Sequence, residues 1–437
     1  MGITNNKMRY EIIKQRYLKK NAKGKIIETL EKMFFRVANA IAAIETKYGA
    51  TKKRVKNCTE KFCQLMKKLE FLPNSPTIMN CGRANGMLSG CFVLPVPDSI
   101  DGIFDAIKQT ALIQKAGGGT GFDFSQLRPT GDIVRSSGGK TSGPISFMRA
   151  FAETTNAVQQ GAFRRGANMG MMNINHPDIL KFINAKNDLS AFTNFNISVK
   201  VPDAFMNQLE NRPDSLHIVI NPRTKKRYAI PHSIDIYSYS IDDLIAANKA
   251  TDDGYTVKEV WDMINKNAWA TGEPGICFID RVNKDNPTPH IGQIEATNPC
   301  GEQPLLFYES CNLGSINVTK FVNREKQDLD WDRLEKTIKL AVRFLDNVID
   351  ANHYPIAEIE KMTLWNRKIG LGIMGFADTL ILLGIRYDTK EAEQFAERLA
   401  SFIQKHAHKA SEELAEERGC FPNWKDSIWD AAHNYAA

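Results

Sequence analysis

An α/β fold that opens on a helical domain is what this 437-residue sequence predicts. Apolar residues recur at helical spacing through 26–46 and 52–69, with Lys and Glu filling the exposed faces. Beyond residue 85, short apolar runs at 87–96, 196–201 and 275–279 alternate with helical stretches, a rhythm that argues parallel strands joined by helices. After Cys311 the pattern is mostly helical, at 331–349, 356–382 and 391–417, and Gly419 is placed to cap the last helix. The expected domains are 1–85, helical, and 86–437, α/β.

Length and composition narrow the function classes. The chain exceeds the roughly 250–300 residues at which single cores stop growing, so several domains or one large α/β barrel are expected. Hydrophobic content of 43% and charged content of 24% are ordinary globular values. No apolar run approaches the roughly 18 residues of a membrane span, and the start lacks the apolar core of a signal peptide, so a cytoplasmic protein is expected. Eight cysteines are too sparse for a disulfide scaffold. Functional thiols are therefore expected to be catalytic or metal-binding, and Cys58 with Cys63, lacking a second Cys or His pair nearby, reads as core packing rather than a zinc site. The formal charge of +7 is spread without a dense block, which argues against a nucleic-acid surface.

Taken in order, FLPNSPTIMNC at 71–81 carries two prolines and small polar residues that suit a turn and extended segment presenting the Ser75 hydroxyl. MLSGCFVLPV at 87–96 reads as a buried strand with Cys91 in its first half, where a thiol is ordinarily inert core. A helix over 98–116 leads to GGGTG at 117–121, a cluster that permits close backbone approach but lacks the Lys-Ser/Thr ending of a P-loop. RSSGGKTSG at 135–143 and QQGAFRRG at 159–166 are polar loops around a helix at 144–158; their arginines suit phosphate binding or a solvated surface equally well. A polar stretch over 211–241 reads as an insertion with a hairpin around NPRTKKRY, and a helix at 257–269 precedes the strand at 275–279.

The loop NPCGE at 298–302 packs an amide, a thiol and a carboxylate into five residues, with Cys311 eleven positions after Cys300. Pro299 fixes one φ and Gly301 frees another, so the loop can aim Asn298, Cys300 and Glu302 at one small substrate. A surface turn with a buried structural cysteine is the alternative for this loop taken alone.

Together these stretches resemble the large catalytic subunit of ribonucleotide reductases, most closely the adenosylcobalamin-dependent class. The resemblance runs over 9–424 and rests on PNSPTIMN, LSGCFVLPVPDSIDGIF, GGGTGFDFSQLRPTGDIV, GANMGMMNINHPDI, NPCGEQPL, ESCNLGSINV and RKIGLGIMGFAD in family order. It implies a ten-stranded α/β barrel of two five-stranded halves, of which 86–437 holds an incomplete part, with Cys300 on a central finger loop. Cys300 would be the thiyl-radical residue that takes the 3′ hydrogen of the ribose; Glu302 would take the 3′-hydroxyl proton and Asn298 would bond the sugar hydroxyls. Cys91 and Cys311, 220 positions apart, would be the dithiol that becomes a disulfide as the 2′-hydroxyl leaves.

The resemblance also places Ser75, Gly90 and Gly119 against the substrate. Asp98 matches the carboxylate that holds the ribose of a specificity effector, a deoxynucleoside triphosphate or ATP. Arg135 and the loop with Gln160 and Arg164 match the two loops that relay effector identity, and Arg164 is expected on the substrate base or phosphate. Implied partners are a ribonucleotide substrate, a thioredoxin-type reductant, a second copy of the chain in a homodimer, and the C-terminal half of the barrel as a separate chain or missing segment. No resident metal site, and no extra effector module ahead of the helical domain, is expected. Two alternatives stay open: a radical delivered by a separate metal-containing subunit, and a non-catalytic nucleotide-binding remnant.

Overall fold

The structure, a computed structural model, describes residues 7–83, 86–134, 137–158, 166–251, 253–431 and 436. It divides into two compact units, Met1–Gly90 with Ser310–Ala437, and Cys91–Glu309. The division at residue 85 expected from sequence stands as a domain proposal beside these units.

In the first unit the helical periodicity becomes packed helices. The Leu30–Ala42 helix buries Met33, Phe34, Val37, Ala38 and Ile41 in one stripe, and the side chain of Thr29 caps it by accepting from the Lys32 amide. The Lys52–Lys67 helix, capped by Thr51, buries Phe62 and Met66, and the Trp331–Ala351 helix adds Phe344 and Leu345 to the same core. Phe344 meets Phe62 and Phe71 edge-on, with ring centroids 5.0 and 5.4 Å apart. The Lys390–Arg418 helix ends on Gly419, at φ 86°, as expected.

Three local expectations are corrected here. Residues 71–81 are not wholly extended: after the strand Phe71–Pro73, the Asn74 side chain accepts from the Thr77 amide at 3.0 Å and starts the helix Ser75–Asn80, whose first turn tolerates Pro76. The helical reading of 356–382 breaks into the helix Ala357–Asn366, the strand Ile369–Met374 and the helix Phe376–Leu383. Gly370 and Gly372 weaken a helix there, Arg367 at φ 46° ends the first one, and pairing with Ser310–Asn317 decides for strand. Ser310–Asn317 is itself an eight-residue strand that helical periodicity did not show, antiparallel to Phe71–Pro73 and parallel to Ile369–Met374.

Charged residues are also buried in this unit. Glu45 is 1% exposed and accepts from Arg343 and Arg418, each at 2.8 Å, and from Asn347 at 2.9 Å. Asp350 accepts from Arg367 at 2.9 Å and from Tyr48 at 2.6 Å.

The second unit carries a parallel sheet in the order Cys91–Leu94, Gly119–Asp123, Asn168–Asn173, Phe195–Lys200 and Gly275–Cys277. The helices Ile100–Lys115, Pro144–Ala157 and Val257–Thr271 lie in its crossovers, as parallel pairing requires. The second half of the glycine cluster thus lies in the strand Gly119–Asp123, with Cys91 opposite Gly119. The expected hairpin around NPRTKKRY forms from Ile218–Ile220 and Arg227–Ala229. Among the described residues no helix is long and apolar enough to cross a membrane.

Glu45→Ala would remove the carboxylate shared by Arg343 and Arg418, which keep Glu417 and Asp346 respectively, and is expected to destabilise the unit by about 1–3 kcal/mol in denaturant titration. Burial raises the pKa of Asp350, but the Arg367 hydrogen bond and charge outweigh this and hold it at about 2. A depressed carboxylate contributes stability above its unfolded pKa of about 3.9 and loses it as pH falls toward 2. Arg367→Met is therefore expected to move acid unfolding, followed by circular dichroism, to higher pH.

Candidate active site

The NPCGE loop closes a very short hairpin in which Ala296–Thr297 pairs antiparallel with Pro304–Leu305. Within the loop the Gly301 amide donates to the Asn298 carbonyl at 3.0 Å, the Asn298 amide to the Gln303 carbonyl at 3.2 Å, and the Gln303 amide to Asn298 Oδ1 at 2.9 Å. Gly301 sits at φ 84°, where a side chain is disfavoured. The result is a tight turn that leaves Cys300 and Glu302 exposed while Asn298 is buried.

This turn rests on the strand Gly119–Asp123. A Cβ added to Gly121 would stand 1.7 Å from the Thr297 carbonyl oxygen, and one added to Gly119 would stand 2.7 Å from Pro299 Cγ. Asn196, on the strand Phe195–Lys200, donates its amide to the Pro299 carbonyl at 2.7 Å. Gly121 and Asn196 were not picked out from sequence; the signal available was the Gly-x-Gly alternation within 117–121, which puts two side-chain-free positions on one face of a strand.

The seated loop brings three of the predicted catalytic side chains together. Asn298 Nδ2 donates to Cys91 Sγ at 3.2 Å, and the Cys91 thiol reaches Glu302 Oε1 at 3.9 Å. Cys91, first residue of its strand, is 5% exposed beneath them. Gly119 is present as a seat for Pro299.

The other expected residues divide between the two units. Ser75, Gly90 and Cys311 belong to the first unit. Ser75 Oγ lies 3.0 Å from the Tyr17 hydroxyl; a Cβ added to Gly90 would stand 3.5 Å from Pro76 Cγ and 3.7 Å from Asn74 Nδ2, ordinary contact; Cys311 is fully buried on Ser310–Asn317. Asp98 is in the second unit and holds Arg128 by hydrogen bonds of 2.9 and 3.1 Å. Arg135, Gln160 and Arg164 lie outside the described residues.

Four further thiols separate from these by environment. Burial pushes the Cys58 and Cys81 thiols up to about 12 and raises those of Cys63 and Cys277, so these four are held protonated. That agrees with Cys58 and Cys63 as core packing.

With the geometry described, comparison with known proteins is informative. Residues 5–86 match the ribonucleotide reductase all-alpha domain and residues 89–436 match the ribonucleotide reductase barrel domain. The chain is 45% identical over 96% of its length to a vitamin B12-dependent ribonucleoside-diphosphate reductase of Thermoplasma acidophilum, of which it covers 58%. It is 46% identical over 95% of its length to the protein of that name from Mycobacterium tuberculosis, covering 56% of it. Similarity to a ribonucleoside-diphosphate reductase subunit alpha of Chlamydia pneumoniae is lower, 30% over 94% of this chain. The chain thus spans little more than half the length of the first two relatives.

Gly121→Ala places a methyl group inside the Thr297 carbonyl and must unseat the loop. Its expected cost is about 1–3 kcal/mol, with Gly119→Ala the milder of the two because a proline ring edge yields more readily than backbone. Denaturant titration of both variants, with amide exchange over 296–305, checks the order.

Proposed function

The chain belongs to the ribonucleotide reductase large-subunit family, and from that membership we propose that it carries the radical-bearing loop of a ribonucleoside-diphosphate reductase. The observation that supports this most directly is one glycine-seated turn holding Asn298, Cys300 and Glu302, with Cys91 3.2 Å from the Asn298 amide. Such a turn suits hydrogen-atom chemistry, in which thiol, base and hydrogen-bonding amide must meet one sugar ring.

In the proposed sequence the Cys300 thiyl takes the hydrogen from ribose C3′, becoming a thiol and leaving a carbon radical. Glu302, exposed beside it, removes the 3′-hydroxyl proton as general base. The 2′-hydroxyl leaves as water with a proton from one of Cys91 and Cys311, the other thiol gives its hydrogen to C2′, and the two sulfurs join as a disulfide, so the pair supplies both electrons, while Glu302 returns its proton to the 3′ oxygen. Return of hydrogen from Cys300 to C3′ regenerates the thiyl. Asn298 keeps its Oδ1 on the Gln303 amide and offers Nδ2 toward the sugar hydroxyls.

Adenosylcobalamin is the proposed radical source, because the two relatives of higher identity carry the vitamin B12-dependent name. When bound it supplies a carbon-centred radical that takes hydrogen from a thiol, and exposed Cys300 is the thiol of this loop that such a group can approach. Ser75, Gly90 and Gly119 are proposed on the substrate; Asp98, Arg135, Gln160 and Arg164 on a nucleoside triphosphate effector. A thioredoxin-type reductant, a homodimer, a cytoplasmic location and a requirement for the remaining barrel belong to the same reading.

The test is conversion of a ribonucleoside diphosphate to its deoxy form with adenosylcobalamin, dithiothreitol and an effector. It uses this chain alone and then with a polypeptide supplying the rest of the relatives' length. Turnover abolished by Cys300→Ser, and lowered about 10²- to 10⁴-fold in kcat by Glu302→Gln with little change in KM, is the expected result. Turnover that survives Cys300→Ser would sink the proposal; effector binding without any turnover would favour the nucleotide-binding remnant.

A further inference from the structure

We propose that Lys200 is a positioning residue for the Cys300 loop, its ammonium clamping the stem of the loop to the sheet between Asp123 and Glu295. The inference rests on Cys300 being the reacting thiol. Two residue pairs do not hold a hairpin by themselves, so the loop depends on what grips it from outside. The glycine seat and Asn196 grip its tip. Its stem begins at Glu295, immediately before Ala296–Thr297.

Lys200 ends the strand Phe195–Lys200, and its side chain is 4% exposed. Its Nζ lies 2.8 Å from Asp123 Oδ2 and 2.9 Å from Glu295 Oε2. Burial opposes the ammonium charge, but Asp123 and then Glu295 outweigh it, so Lys200 stays protonated. Asp123 ends the same strand whose glycines seat the loop, and its other oxygen accepts from the Ser125 hydroxyl at 2.5 Å. Ser125 Oγ in turn accepts from the Asn173 amide at 2.7 Å, at the end of the neighbouring strand. The ammonium therefore joins the ends of two strands to the loop stem, and Ser125 links a third strand end to Asp123.

The two carboxylates differ in exposure. Asp123 is 1% exposed in its side chain and Glu295 25%, so Asp123 with Lys200 is the fixed half and Glu295 the arm that reaches the loop. Asn283 separately pins Ile294, accepting from its amide at 2.8 Å and donating to its carbonyl at 2.9 Å. Loss of the Glu295 contact thus leaves the chain path up to residue 294 intact and loosens the loop beyond it. Lys200→Met is harsher, because it leaves Asp123 buried without its cation.

The experiment is amide hydrogen exchange on the full 437-residue chain, comparing Glu295→Gln, Lys200→Met and Lys200→Arg with the parent. Glu295→Gln is expected to speed exchange at the amides of Asn298, Gly301 and Gln303 about tenfold, Lys200→Met more, and Lys200→Arg much less. Exchange in the Leu30–Ala42 helix should not move. Unchanged exchange at the three amides in both Glu295→Gln and Lys200→Met overturns the clamp, as does a rise spread evenly over 91–309. In the active assembly Glu295→Gln is expected to lower kcat about tenfold at unchanged KM. Parent kcat with a loosened loop would overturn the positioning role. Retained turnover in Cys300→Ser would instead defeat the functional reading, while the exchange data still decide the clamp.

Discussion

A carbonyl oxygen that lies where the Gly121 Cβ would be is the constraint on which the second unit depends. It ties the path of the 298–302 loop to a strand that carries no side chain on that face at positions 119 and 121. Because that strand pairs in parallel with Cys91–Leu94 and with Asn168–Asn173, seating the loop on it also fixes the loop against Cys91. Backbone contact is stiffer than side-chain contact, since no rotamer can relieve it. On the proposed reading, in which the loop places sulfur, carboxylate and amide around one sugar, such a seat is an advantage.

The first unit is held by different means. Its apolar core joins the Leu30–Ala42, Lys52–Lys67 and Trp331–Ala351 helices, and buried charges then link residues far apart in sequence, Glu45 to Arg343 and Arg418, and Tyr48 to Asp350. Such pairs add little net energy over an apolar packing of the same volume, but they penalise any arrangement that leaves one partner alone. They bind residues near 45 to residues beyond 340 as one unit.

Sequence showed what local chemistry determines. The Leu30–Ala42 and Lys52–Lys67 helices follow from 3.6-residue periodicity, and the parallel strands from apolar runs between helices. Periodicity failed at 369–374, where glycines are compatible with either state and a partner strand decides, and at 310–317. Motif order across the chain made Asn298, Cys300 and Glu302 legible. It could not show that Gly121 and Asn196 seat them or that Lys200 grips the stem, because those residues are more than 90 positions from the loop and no spacing rule joins them.

The hydrogen bonds of Asn298 suggest how an occupied loop would differ from an empty one. Its Oδ1 accepts from the Gln303 amide and shapes the turn, whereas its Nδ2 spends a donor on Cys91 sulfur. Sulfur is a weak acceptor, so exchanging it for a sugar hydroxyl is favourable, while breaking the bond to Gln303 would undo the turn. On the proposed reading, substrate therefore replaces the sulfur contact and keeps the other. That exchange takes the Asn298 donor off the Cys91 sulfur when ribose arrives, while the thiol hydrogen, directed at Glu302 Oε1 before that, is the one given to the departing 2′-hydroxyl.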